Sequence, residues 1–124
     1  MFKPNLMPAV PDFPDPAEIG IDPEVVAALQ QAGTPFRLID CREPDEWDIT
    51  HIQGAELLPL SDFAARSSAV LEDPAELIVI HCHHGVRSAK ATLFLRQKGF
   101  RNVWSMVRGI EGWSLEVDST VPRY

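Results

Sequence analysis

The 124-residue sequence holds only two cysteines, Cys41 and Cys82, so no disulfide framework is expected and the thiols suit a reducing compartment. It also lacks any apolar run approaching the roughly 20 residues that cross a bilayer. Its opening, "MFKPNLMPAVPDFPDP", carries one lysine and repeated prolines in place of the unbroken apolar segment of a secretory signal. These absences point to a cytoplasmic protein with no membrane partner. A net charge of −7 disfavours a general nucleic-acid binder. Acidic residues are missing altogether from Leu77 to Ile110, where Arg87, Lys90, Arg96, Lys98, Arg101 and Arg108 fall. That segment is +6 and the remainder −13, and a small anion is the natural client of such a basic region. Several of these cations can equally form the solvated face of one helix.

The chain is the size of one domain, and its 45% hydrophobic and 23% charged residues match a globular protein. Five of the eleven prolines lie in the first 16 residues, so residues 1–17 read as a flexible arm before a domain spanning 18–124. "IDPEVVAALQQAG" is a short amphipathic helix, with Asp22 as N-cap, Pro23 at the first helical position and Gly33 as the stop. "FRLID" (36–40) and "ELIVI" (76–80) read as strands of a buried parallel sheet. Between them come a helical turn around Glu46, a turn at Gln53 and Gly54, and a strand near Glu56 to Leu58. "SAKATLFLRQKG" is a helix stopped by Gly99, with Phe100 packing back on Leu95. "NVWSM" is a further strand and "GIEGWSLEV" a short helix. Alternating strands and helices predict an α/β sandwich with a mostly parallel sheet.

"HCHHGVRS" (81–88) stands between a strand and a helix, where ligands bind in such sheets. A tight loop from Cys82 to Arg87 can turn successive amides inward as an anion nest backed by the helix dipole, with Gly85 easing the bend. Those partial charges, with Arg87 and the neighbouring histidines, favour Cys82 as a nucleophilic thiolate. His81, Cys82, His83 and His84 supply zinc-type atoms, but adjacent residues in a short loop do not converge on one tetrahedral centre, and no metal or other cofactor is expected. His81 is expected to point into or across the sheet and His83 and His84 to line the pocket rim.

Four segments resemble, in order, those of the single-domain rhodanese family: "LIDCREPDEW", "THIQGAELLPL", "CHHGVRSAKA" and "VRGIEGW". The resemblance covers residues 18–124 and implies a three-layer sandwich with helices on both faces of the sheet. It implies a sulfurtransferase in which Cys82 becomes a persulfide by attacking an anionic donor such as thiosulfate, then passes the sulfur to a thiophilic acceptor. His83, His84, Gly85, Val86 and Arg87 would cradle the substrate, and Asp40, Arg42 and Ser88 would support the loops. The ending "GWSLEVDSTVPRY" is similar to the rhodanese segment of MoeB-type and molybdopterin-synthase sulfurylase proteins, which raises the alternative of a sulfur-relay module serving a donor or carrier protein. A catalytically silent binding or sensor domain is a further alternative. Phosphatases and arsenate reductases of this type fit less well, because phosphatases place five residues between cysteine and arginine where this chain has four.

Three positions depart from the family pattern: Cys41 for valine, Gln53 for proline, and Arg108 for the first glycine of the "GGI" turn. Cys41 reads as a core thiol or as a resolving partner for Cys82. Arg108 faces the site or merely tolerates the turn. Arg42 can pair with Glu43 or Glu46, His51 bonds locally, and Trp47, Trp104 and Trp113 serve packing.

Overall fold

Apolar residues at every position of "LIVI" require a strand covered on both faces, and that is how the chain folds. The computed structural model describes residues 19–124, and the expected proline-rich arm lies outside the described residues. The elements run β1 (Gly20–Ile21), α1 (Pro23–Gln31), β2 (Arg37–Asp40), α2 (Pro44–Ile49), β3 (Ala55–Leu57), α3 (Leu60–Val70), β4 (Ile78–His81), α4 (Val86–Gln97), β5 (Val103–Met106) and α5 (Gly109–Glu116). Among the described residues the strands form one parallel sheet in the order β1-β5-β4-β2-β3. No described helix is long and apolar enough to cross a membrane.

The period of two along each strand divides the core into two layers. Leu38, Leu77, Val79, Trp104 and Met106 face α1 and α5, joined by Val26, Leu29, Ile110 and Trp113. Ile39, Cys41, Ile78, Ile80, Cys82 and Val103 face α3 and α4, joined by Phe63, Ala91 and Leu95. Each fully buried aliphatic side chain contributes roughly 1.5–3 kcal/mol, so the layers fix both register and the facing of the two cysteines.

Boundaries differ by one or two residues from expectation. Glu76 sits in a turn, its amide bonded to the Asp73 carbonyl, so β4 starts at Ile78 and extends through His81. Helix α4 begins at Val86, two residues before the expected start. Gly99 (φ 98°) ends that helix as expected, and the Phe100 amide reaches the Leu95 carbonyl at 3.1 Å. Asp22 holds the N-cap position of α1, but its side chain makes no cap hydrogen bond; its carbonyl receives the Val25 and Val26 amides. Two elements lie outside the sequence reading. Strand β1 is two residues long, too short to show a period, and α3 buries only Phe63 and Ser67 from an alanine- and serine-rich segment.

Candidate active site

The sheet order changes direction between β2 and β4: β3 lies outside β2, and β5 and β1 lie outside β4. In open α/β sheets the crevice beyond the carboxyl ends of such strands is where ligands bind. Cys41 follows β2 and Cys82 follows β4. The Asp40–His81 register and the Cys41 amide bonded to the His81 carbonyl at 2.9 Å carry the two cysteines to neighbouring places on one face. Both are buried and both are free thiols.

The path of the chain beyond each cysteine separates them. Cys82 Sγ accepts the Gly85 amide at 3.1 Å and the Ser88 amide at 3.4 Å, with the Ser88 hydroxyl at 3.5 Å. Gly85 adopts φ 114°, a left-handed conformation that glycine takes without strain, and so turns the loop into the N-terminus of α4. Ala89 N–H is the first to reach back to Gly85, which leaves the Val86 and Arg87 N–H groups without intrahelical acceptors. The Cys41 thiol, the Ser88 hydroxyl and the two amides together lower the Cys82 pKa to about 4 against the opposing effect of burial. In return, proximity to Cys82 and burial push the Cys41 thiol up. Near neutral pH the pair therefore holds one thiolate, on Cys82, and one thiol, on Cys41.

The loop is braced from below by α5. The Cys82 carbonyl accepts the Ile110 amide at 2.8 Å and the His83 carbonyl accepts the Glu111 amide at 3.2 Å, so loop carbonyls satisfy the orphan donors of that helix. Gly109 makes this approach possible: a Cβ there would stand 2.3 Å from the Cys82 carbonyl oxygen. Ser88 Oγ lies 2.7 Å from Ser105 Oγ and ties α4 to β5.

A second layer of contacts surrounds the mouth. Arg87 Nη1 and Nη2 bond the two carboxylate oxygens of Glu46 at 2.5 and 2.9 Å. Glu46 also accepts the Tyr124 hydroxyl at 2.7 Å and the Glu43 amide at 3.2 Å, and these donors, Arg87 foremost, hold its pKa near 2. The Tyr124 ring stacks on His83 at 3.9 Å, and His83 stacks on His84 at 3.9 Å. Burial, then the neighbouring His84, lower the His83 pKa. Val86 is 67% exposed and presents an apolar side chain at the head of α4.

Arg42 does not pair with the side chain of Glu43 or Glu46. It is fully buried and grips Asp40 through Nε and Nη2, donates to the Thr50 carbonyl at 2.7 Å, and reaches the Tyr124 hydroxyl at 2.8 Å. Asp40, two residues away along an extended strand end, takes the carboxylate side of the fork, and Arg42 meets α2 through backbone carbonyls, those of Glu46 at 3.4 Å and of the C-cap Thr50, not through its carboxylates. His81 points across the sheet, Nε2 3.8 Å from Asp40, and burial lowers its pKa. Among the described residues, no group of three or more histidine, cysteine and carboxylate side chains is placed to hold a metal ion. His51 bonds the Trp47 carbonyl at 3.0 Å, and Trp104 and Trp113 are buried in the core. Arg108 adopts φ 62°, the left-handed conformation its glycine counterpart would take freely, and its guanidinium is drawn to Glu116 at 2.5 Å. Sequence reasoning missed Glu46 as the partner of Arg87 and missed Tyr124 and Ser105 entirely. The long separations of 41 residues for Glu46–Arg87 and 78 for Tyr124–Glu46 leave no local signal.

Comparison with known proteins identifies the family and the fold. The rhodanese-like domain model matches residues 22–116. The thiosulfate sulfurtransferase GlpE of Haemophilus influenzae is 32% identical over 103 residues, covering 81% of this chain and 94% of that protein. The probable adenylyltransferase/sulfurtransferase MoeZ of Mycobacterium tuberculosis is 32% identical over 104 residues, 84% of this chain, which spans about a quarter (26%) of MoeZ. A crystal structure of a thiosulfate sulfurtransferase from Pseudomonas aeruginosa superposes with a TM-score of 0.71 at 27% identity, over 80% of this chain and 19% of that one. A rhodanese-like domain protein from Staphylococcus aureus shares the fold, with a TM-score of 0.71 at 22% identity over 85% of this chain and 97% of that one. From the match over most of its length and the shared sheet, the chain belongs to the rhodanese-like domain family.

Proposed function

We propose that the protein is a sulfurtransferase that carries sulfane sulfur as a persulfide on Cys82. The observation that carries this reading is the Cys82 sulfur held by the Gly85 and Ser88 amides at the head of α4. The thiolate attacks the outer sulfur of a donor, the donor's S–S bond breaks, and its remaining fragment leaves with the bonding pair. The terminal sulfur then lies within the cradle of His83, His84, Gly85, Val86 and Arg87, where the unengaged Val86 and Arg87 N–H groups can hold it. An acceptor nucleophile takes that sulfur and regenerates the Cys82 thiolate, so one transfer is split into two displacements. Ser88 orients the sulfur, and Asp40 and Arg42 hold the ends of β2 and α2 around the site.

The MoeZ-like stretch favours a second form of the same chemistry, a relay that loads a sulfur-carrier protein. Fast turnover with cyanide as acceptor favours the free enzyme; slow turnover with rapid transfer to a carrier C-terminus favours the relay. The reading is tested by intact-mass analysis after incubation with thiosulfate and, separately, with cysteine hydropersulfide. Wild type is expected to gain one sulfur that cyanide removes, and Cys82→Ser to gain none. No gain with either donor would refute persulfide catalysis, and Cys82-dependent hydrolysis of a phosphate ester without sulfur loading would turn the assignment to a phosphatase.

A further inference from the structure

We infer that Tyr124 is a positioning residue for sulfur transfer, a clamp that fixes the loop after Cys82 at both of its ends. The role rests on the proposed sulfurtransferase reading and follows from what this one side chain touches. At the start of the loop the Tyr124 ring lies on His83, with centroids 3.9 Å apart and an interplanar angle of 5°. The His84 ring also stacks on His83 at 3.9 Å, so the His83 ring is enclosed between two others. At the end of the loop the Tyr124 hydroxyl donates to Glu46 Oε2 at 2.7 Å, and Glu46 holds both Nη atoms of Arg87. Gly85 and Val86, whose amides belong to the proposed cradle, lie between these two attachments.

The clamp has a fixed base. The Tyr124 hydroxyl accepts Arg42 Nη1 at 2.8 Å, and Arg42, fully buried, is itself gripped by Asp40 at the end of β2. With its proton on Glu46 and a lone pair facing Arg42, the hydroxyl is fixed in rotation as well as in place. The segment that brings Tyr124 to the mouth is fastened to α5, through Ser114 Oγ on the Val121 carbonyl and through Arg123 paired with Glu111 at 2.6 Å. That same helix receives the loop from below through the Ile110 and Glu111 amides. The loop is therefore gripped on one side by backbone contacts to α5 and on the other by Tyr124. Amides aimed at the position of the outer sulfur before a donor arrives need no reorganisation during the reaction, and that is what the clamp contributes. Alkylation of Cys82 by iodoacetamide places no outer sulfur in that space and does not draw on it.

The test compares two second-order rates at Cys82: alkylation by iodoacetamide, and persulfide loading by thiosulfate or, where that is too slow, by cysteine hydropersulfide. Both are measured at one pH and at a temperature where circular dichroism shows each protein folded. Their ratio is the readout, because a variant that only loosens the fold shifts both rates together. Tyr124→Phe keeps the ring on His83 but unties Glu46 and Arg42, and is expected to lower the loading-to-alkylation ratio about threefold. Tyr124→Ala releases both ends of the loop and is expected to lower it about tenfold. In a Glu46→Ala background, where the route to Arg87 is already cut, Tyr124→Phe is expected to lower the ratio little further. An unchanged ratio in Tyr124→Phe overturns the inference, as does full additivity of Tyr124→Phe with Glu46→Ala. If Tyr124→Ala or Glu46→Ala does not fold, Tyr124→Phe, which loses a single oxygen, decides alone. Failure of both donors to load wild type refutes instead the sulfurtransferase reading itself.

Discussion

Replacing Cys41 by valine tests the claim that the two thiols form a working pair. The Cys41 thiol is the largest single stabiliser of the Cys82 thiolate, ahead of Ser88 and the loop amides. A hydrogen bond to a charged group is worth about 1.5–3 kcal/mol, and about 1.36 kcal/mol moves a pKa by one, so removing it should carry Cys82 from about 4 to between roughly 5 and 6. Valine adds one methyl-sized group to the buried site but keeps the apolar, β-branched character of the surrounding strands, so the fold should be retained at a modest cost in stability. The assay is the iodoacetamide alkylation rate against pH over the range where circular dichroism reports an intact fold. In wild type the rate is expected to be flat from neutral pH down to about 5 and to fall through a midpoint near 4, because the protonated thiol is unreactive. Cys41, buried and held protonated, contributes no alkylation in that range. In Cys41→Val the midpoint shifts upward. An unchanged midpoint would show that the loop amides and Ser88 suffice alone, and a wild-type midpoint near the ordinary thiol value of about 8.5 would remove the electrostatic basis of the cradle.

Gly109→Ala puts a Cβ 2.3 Å from the Cys82 carbonyl at a left-handed φ of 55°, so a loss of more than about 3 kcal/mol in urea unfolding is expected, with slowed alkylation of Cys82. Arg42→Met strands the buried Asp40 carboxylate and should cost about 3–5 kcal/mol, whereas Asp40→Asn combined with Arg42→Met should recover a measurable part of that loss. Tyr124→Phe removes only the hydroxyl shared by Glu46 and Arg42 and should cost about 0.5–1.5 kcal/mol. Tyr124→Ala also removes the stack on His83 and should cost about 0.5–1.5 kcal/mol more, so equal urea midpoints for the two variants would refute a role for the ring.

Much of this site is readable in the sequence because its geometry is local. A strand, a glycine and a helix start within eight residues place Cys82, Gly85 and Ser88, and the 3.6-residue period of the helix ahead fixes the rest. The charge around the site is not readable, for the opposite reason. Composition counts Arg87 and Arg108 as free cations, but each meets a carboxylate that chain topology, not spacing, delivers: Glu46 from α2 and Glu116 from the last turn of α5. The same holds for Tyr124, whose ring reaches His83 only because the segment after α5 folds back, anchored where Ser114 Oγ donates to the Val121 carbonyl at 2.6 Å. Helix α3 is legible in principle, with Leu60, Phe63, Ser67 and Leu71 at helical spacing. Its signal is weak because a buried serine takes the place where an apolar residue would have completed the stripe.

Cys41 and Cys82 show where reactivity comes from in this fold. They end adjacent parallel strands, point to the same layer and are equally buried, so neither residue type nor burial can distinguish them. The chain after Cys41 runs into Arg42 and Glu43 and caps α2 with the Glu43 side chain, directing its donors away from the sulfur. After Cys82, a glycine at φ 114° reverses the path so that two amides return to the sulfur within six residues. The left-handed glycine that follows Cys82 and has no counterpart after Cys41 is thus the local feature that turns amide donors toward one sulfur and not the other. On the proposed reading the chemistry of "HCHHGVRS" rests on its backbone turn, and the histidines pack through their rings beside it: His83 as the platform for Tyr124, and His84 stacked beyond it.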